Sequence, residues 1–139
     1  MPMPGSIGVI MMSDYGAAHW CLLIGGLMPY FLVAIAKSSR DYDNEDPRNM
    51  AGFTTPTRQR AHGAHSNALE GFGFFAVAVL LATVRRAPPA TVDALALLWI
   101  ALRLAYAWTY IAGKGTARSL LWFAASFTTI AIFLVALLH

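Results

Sequence analysis

Residues Thr57–Val84 read TRQRAHGAHSNALEGFGFFAVAVLLATV, polar as far as Glu70 and then apolar without a charge to the end. An α-helix rises 1.5 Å per residue, so about 20 residues cross a hydrocarbon core of about 30 Å. The stretch is longer than that, and its polar half is predicted to lie at the membrane surface or to face other helices. Three further apolar stretches surround it, at about Tyr15–Ala36, Ala90–Ala112 and Thr116–Leu138, each long enough to span. The reading is all-α: one membrane domain covering residues 1–139, a bundle of four transmembrane helices.

Composition supports this. Of 139 residues, 58% are hydrophobic and 12% charged, and the mean hydropathy is +0.55. A soluble domain of this size has too small a core to hide so much apolar surface. The net charge is +3, but the basic residues lie between apolar stretches or at their ends, with Arg103 alone deep inside one. A phosphate-binding stripe needs a continuous solvated face, so nucleic acid is not an expected partner. Cys21 is the only cysteine; it sits in an apolar run and reads as a small buried hydrophobe. No basic segment precedes the first apolar stretch, which argues against a cleaved signal peptide.

The connections set the topology. Residues 37–56 form a long loop of mixed charge, with Asp41, Asp43, Glu45 and Asp46 beside Lys37, Arg40 and Arg48. Arg85-Arg86-Ala87-Pro88-Pro89 is short, its prolines stopping one helix and admitting the next. Gly113-Lys114-Gly115 suits a helix C-terminus and tight turn. Short links imply antiparallel neighbours, so loops one and three share one side. That side carries Lys37, Arg40, Arg48, Arg58, Arg60, Lys114 and Arg118, against Arg85 and Arg86 on the other. The imbalance predicts that loops one and three are cytoplasmic. Trp20, Tyr30, Trp108, Tyr110 and Trp122 are candidate interface anchors.

Polar residues inside spans are costly and face a bundle interior or a site. Asn67 and Glu70 share one face of the second helix, with Arg60 two turns below Asn67; Arg103, Tyr106 and Tyr110 share one face of the third. Thr116, Arg118 and Ser119 open the fourth. Glu70 and Arg103 are the opposite charges placed deep in the spans, so they are expected to neutralise each other across helices two and three. Asn67 reads equally as interhelical glue, Tyr106 and Tyr110 as packing aromatics, and Arg118 as an anchor at the cytoplasmic edge. His62 and His65 have ligand-like spacing, but nothing completes a metal site around them, and no metal is expected. Phosphate-loop, dinucleotide, zinc-protease and serine-hydrolase signatures are absent.

Together these residues resemble the MAPEG family, the membrane-associated proteins in eicosanoid and glutathione metabolism, and within it a bacterial form similar to the microsomal glutathione transferases. The likeness runs from Tyr30 to the end. It is densest over Arg60–Phe75, where Asn67, Glu70 and the following aromatic run match the family's second helix. Arg103-Leu-Ala-Tyr106-Ala-Trp-Thr-Tyr110 is similar to its third, and Arg118-Ser119 followed by Trp122-Phe123 to its fourth.

The resemblance implies a homotrimer in a bacterial inner membrane, with sites between subunits that take glutathione as cosubstrate and a lipophilic small molecule from the bilayer. Asn67 and Glu70 would contact the tripeptide, Tyr110 and Tyr106 would help to hold it, and Arg103 would partner Glu70. Arg118 and Ser119 would serve the sulfur. The implied activity is transfer or peroxidase chemistry by the glutathione thiolate; the alternative is a non-catalytic binding or structural relative. One departure stands out: the family arginine four residues before Asn67 is Gly63 here. Arg60, one turn lower, is the candidate to replace it.

Overall fold

The computed structural model describes residues 16–139, so the first residues of the chain, including Tyr15 and the segment read for a signal peptide, lie outside the described residues. Four helices follow: α1 Ala17–Lys37, α2 Pro56–Val84, α3 Pro89–Ile111 and α4 Gly115–Leu138. Each is long and apolar enough to cross a membrane, and no strand occurs among the described residues. The 29 residues of α2 span roughly 43 Å, against about 30 Å of hydrocarbon. With Arg85 and Arg86 at the far edge, the first turns of α2, which carry Arg58 to His65, stand in the interfacial zone.

Helix ends follow local chemistry. Pro56 and Pro89 occupy first positions of α2 and α3, where the missing N–H is no loss. At the end of α2, Arg86 takes a left-handed conformation (φ 56°) and the Ala87 N–H donates to the Ala82 carbonyl at 2.9 Å, a Schellman closure. Gly113 (φ 73°) does the same after α3, with Lys114 N–H donating to Thr109 O at 2.9 Å. The N-terminus of α1 is capped from another helix: Asp93 of α3 accepts the Ala18 N–H at 2.7 Å.

α2 and α3 each pack against the three other helices. Small residues make this possible: Ala61, Ala64, Ala68, Ala78 and Ala82 line the buried face of α2, and Ala96, Ala107, Ala125 and Ala136 answer from α3 and α4. Helices in lipid gain from close backbone approach rather than from water exclusion. Phe75 and Trp99 fill the remaining space, stacked at 3.8 Å with rings 2° from parallel. Many other large apolar side chains point outward, among them Trp20, Tyr30, Phe31 and Trp108. Cys21 is buried in the core.

The long loop is pinned by two inward-facing residues. Phe53 is fully buried against Ala36 and Ala61. Arg58, counted above among the basic residues of this side, is not a surface charge: it is only 6% exposed. Its Nε donates to Ala36 O at 2.8 Å and its Nη1 to Thr54 Oγ1 at 3.5 Å, so it satisfies a carbonyl left open at the end of α1. Gln59 adds a bond to Phe53 O at 2.9 Å. His62 packs on Phe53 (4.9 Å between centroids), and His65 donates from Nδ1 to Pro29 O at 2.8 Å. No group of three metal-ligating side chains forms among the described residues.

The expected Glu70–Arg103 pairing is not what joins α2 to α3. Arg103, 3% exposed, donates from Nη1 to Asn67 Oδ1 and from Nη2 to Asn67 O, both at 3.0 Å. The offset between the two helices sets the guanidinium against Asn67, one turn before Glu70. Glu70 is turned outward, makes no ion pair at contact distance among the described residues, and attracts Arg103 only through space. Rings of Arg103's own helix complete its surroundings, Tyr106 at 4.7 Å and Trp99 at 5.8 Å from the guanidinium carbon.

Two outcomes test these contacts. Arg58→Leu should remove about 1.5–3 kcal/mol, the range for a hydrogen bond to a charged group, and should speed tryptic cleavage at Arg40 and Arg48; unchanged digestion would show that Arg58 does not hold the loop. Asn67→Leu and Arg103→Leu should each lower the melting temperature in detergent, whereas Glu70→Gln should leave it unchanged. A drop in the Glu70 variant matching that of Arg103→Leu would restore the ion-pair assignment.

Candidate functional site

Spacing along each helix delivers the site. Gly63, Ser66, Asn67 and Glu70 recur at three and four residues on α2 and so share a face. Tyr106 and Tyr110 lie one turn apart on α3. Arg118, Ser119, Trp122 and Phe123 come from the first three turns of α4. These ten residues line one cavity of about 430 Å³, within the range of about 300–1,000 Å³ usual for ligand pockets. It sits at the end of the bundle that carries the 38–55 loop and the Gly113 turn, and its exposed residues Glu70, Ser119, Trp122 and Phe123 open it to the outside of the bundle.

Of the eight site candidates, Asn67, Glu70, Tyr106, Tyr110, Arg118 and Ser119 meet in this cavity. Arg103 lies beneath, lining a smaller cavity of about 170 Å³ with Glu70, Phe74, Trp99, Trp122, Ser126 and Thr129 among others. Arg60 is not brought in. It is exposed, and its guanidinium rests on the α3–α4 turn, where a Cβ on Gly113 would lie 2.8 Å from the Arg60 Cζ. The left-handed turn takes a glycine, and the Arg60 guanidinium lies against it rather than in the cavity. Tyr110 and Trp122, candidate interface anchors, turn to the cavity, whereas Trp20, Tyr30 and Trp108 stay on the outer surface.

The polar groups form a connected series. Arg103 can only donate, so the Asn67 side-chain oxygen faces it and the amide nitrogen is left as a donor. Tyr106, 4% exposed, stacks under the Arg103 guanidinium and meets Tyr110 edge-on, with centroids 5.7 Å apart at 74°. The face of Tyr110 carries the next cation, with Arg118 Cζ 4.6 Å from its centroid, a cation–π contact. Arg118 also sits in the opening turn of α4, which has no side-chain cap; that end carries the positive pole of the helix dipole.

Ser119 donates its hydroxyl hydrogen to Gly115 O at 3.2 Å. Its oxygen is then an acceptor, and serving a thiolate as a donor requires it to leave Gly115. Ser66, which sequence reasoning did not select, lines the cavity while its hydroxyl bonds to His62 O at 3.2 Å. Its position four residues before Glu70, on the same helical face, was the available signal. In sum, the cavity presents a guanidinium and a helix N-terminus on the α4 side, a carboxylate and an amide on the α2 side, and two phenols between.

The family model described as the MAPEG family matches residues 17–138. No curated protein and no solved structure matches the chain. The matched span contains all four helices and every residue of both cavities. The chain therefore belongs to the MAPEG family, as an integral, multi-pass membrane protein of the kind associated with glutathione and eicosanoid metabolism.

Proposed function

We propose that this protein is a membrane-bound, glutathione-dependent transferase or peroxidase that activates the glutathione thiolate for attack on a lipophilic electrophile or lipid hydroperoxide. The observation that carries this reading is the meeting of Asn67, Glu70, Tyr106, Tyr110, Arg118 and Ser119 in one cavity, with Arg118 poised over Tyr110 at its α4 end. Glutathione offers an ammonium, amides, two carboxylates and a thiol. Glu70 suits the ammonium, and the Asn67 amide and the tyrosine hydroxyls suit the peptide groups. Arg118 serves the sulfur.

The chemical role of Arg118 follows from thiol chemistry. The thiolate is the nucleophile, and a free thiol is largely protonated at neutral pH. A guanidinium beside the sulfur favours the anion and does not lose its own charge. The positive pole of α4 acts in the same sense. Attack then proceeds on an electrophile that arrives sideways from the bilayer along the apolar wall of Trp122 and Phe123.

Glu70 also bears on assembly. A carboxylate turned outward at this depth is costly against lipid, which supports a homotrimer in which a neighbouring copy covers the mouth of the cavity. The excess of Lys and Arg around loops one and three supports a cytoplasmic opening, the side on which glutathione is supplied, in a bacterial inner membrane. A second reading, a non-catalytic glutathione-binding or structural protein, is favoured by one observation: with Gly63 on the wall and Arg60 held at the Gly113 turn, the α2 side lacks a guanidinium for a glutathione carboxylate.

Ultraviolet difference titration with glutathione at neutral pH separates the two. The expected result is a thiolate band in the wild type that is lost in Arg118→Ala, with turnover of an aryl halide probe falling about 10²–10³-fold, as when one preorganised donor is removed. Binding without a thiolate band would favour the non-catalytic reading, and equal turnover in Arg118→Ala would move the sulfur contact elsewhere.

A further inference from the structure

Gly63 stands in the middle of a helical face, where a glycine costs about 1 kcal/mol relative to alanine. A Cβ at this position would overlap the Tyr110 hydroxyl and lie 2.8 Å from Cζ and 3.0 Å from Cε1 of the ring. Packed carbon atoms rest at about 3.5–4.0 Å, so even a methyl group requires the ring to move. The room it has lies on the cavity side, where Tyr110 is half-buried. The ring leans on the Ala64, Ala68 and Ala107 cluster with Met28 and Leu32, and meets Tyr106 edge-on. Tyr106 in turn is held under Arg103, which is tied to Asn67. The side of Tyr110 that remains faces the cavity and carries Arg118, so a ring pushed off α2 moves against the guanidinium.

We infer that Gly63 is a positioning residue: the side chain it lacks leaves the notch that seats Tyr110 against α2, and the seated ring holds the Arg118 guanidinium at the cavity. This extends the reading of Arg118 as the sulfur contact and rests on it for its catalytic meaning, but the geometric claim stands without glutathione. Gly63 is then more than a missing arginine. An arginine here would set its Cβ against the Tyr110 hydroxyl and ring, so a cation on this part of α2 requires Tyr110 to leave its present seat. Restoring the cation by Gly63→Arg would displace the ring that positions Arg118.

The test reads the position of Arg118 directly, on the full chain purified in detergent. Phenylglyoxal modifies arginine side chains, and peptide mass spectrometry gives the rate at Arg118 alone. Gly63→Ala should raise that rate about two- to fivefold, the change expected when a cation–π contact at a half-exposed site is lost. Tyr110→Ala should raise it similarly, and Gly63→Ala added to Tyr110→Ala should have no further effect, because the methyl group then meets open space. A folded Gly63→Ala protein with the wild-type rate, or additive effects in the double variant, would overturn the inference. If Gly63→Ala does not fold, rescue by adding Tyr110→Ala supports the notch, and failure of the double variant overturns it. Glutathione is absent from this assay, so loss of the thiolate band with these labelling rates intact would count against the proposed function alone.

Discussion

The structure depends on how a guanidinium is kept inside a bundle whose outer surface is apolar. Arg103 is 3% exposed, and an isolated charge in such a place would be very costly. Asn67 answers with both of its oxygens at 3.0 Å, and the faces of Trp99 and Tyr106 cover what remains. Because one of those oxygens belongs to the main chain, the contact locks the axial register of α2 against α3 as well as the direction of one side chain. That register turns the Asn67 amide nitrogen toward the cavity, sets Tyr106, and through Tyr106 and Tyr110 sets Arg118. Site geometry and bundle geometry are therefore one problem.

Where the chemistry was local, it was readable in the sequence. Four apolar stretches of spanning length gave four helices, with ends at Pro89, Gly113 and the residues after Val84, because proline and left-handed closures act within a few residues. The pairs Asn67–Glu70 and Tyr106–Tyr110 were readable for the same reason: spacing along one helix decides which side chains share a face. Contacts between helices were not. Charge complementarity favoured Glu70 for Arg103, but Asn67 lies one turn away on the same face, and only the axial offset of the helices selects between them. Periodicity carries no information about that offset. The inward turn of Arg58 to Ala36 O and the cap of Asp93 on Ala18 N escaped for this reason.

Gly63 shows the same limit more sharply. As a letter in a sequence it is an absence, and the resemblance frames it as a lost contact. Beside Tyr110 it is a shape, since a Cβ there meets the hydroxyl and ring. The loss of Arg60 as a substitute has a similar origin: the glycine that closes α3 also gives the Arg60 guanidinium a place to rest. Each glycine is used where backbone or ring must come close, and each redirects a charged or aromatic neighbour.

Under the proposed function, a cation missing from the α2 wall and a cation kept on α4 have different consequences. A guanidinium on a glutathione carboxylate contributes equally before and during reaction, because the carboxylate takes no part in the chemistry. Uniform binding of that kind lowers KM without raising kcat. Its absence removes a charge-assisted contact of roughly 1.5–3 kcal/mol, about ten- to a hundred-fold in affinity. The guanidinium beside the sulfur differs, since the charge it faces is that of the nucleophile. On that reading, a cavity that keeps Arg118 on Tyr110 and has no cation on the α2 wall would grip the tripeptide less and keep the group proposed to face its sulfur. On that argument Gly63 is compatible with the proposed catalysis at a higher working concentration of glutathione, and a missing carboxylate contact does not by itself favour the non-catalytic reading.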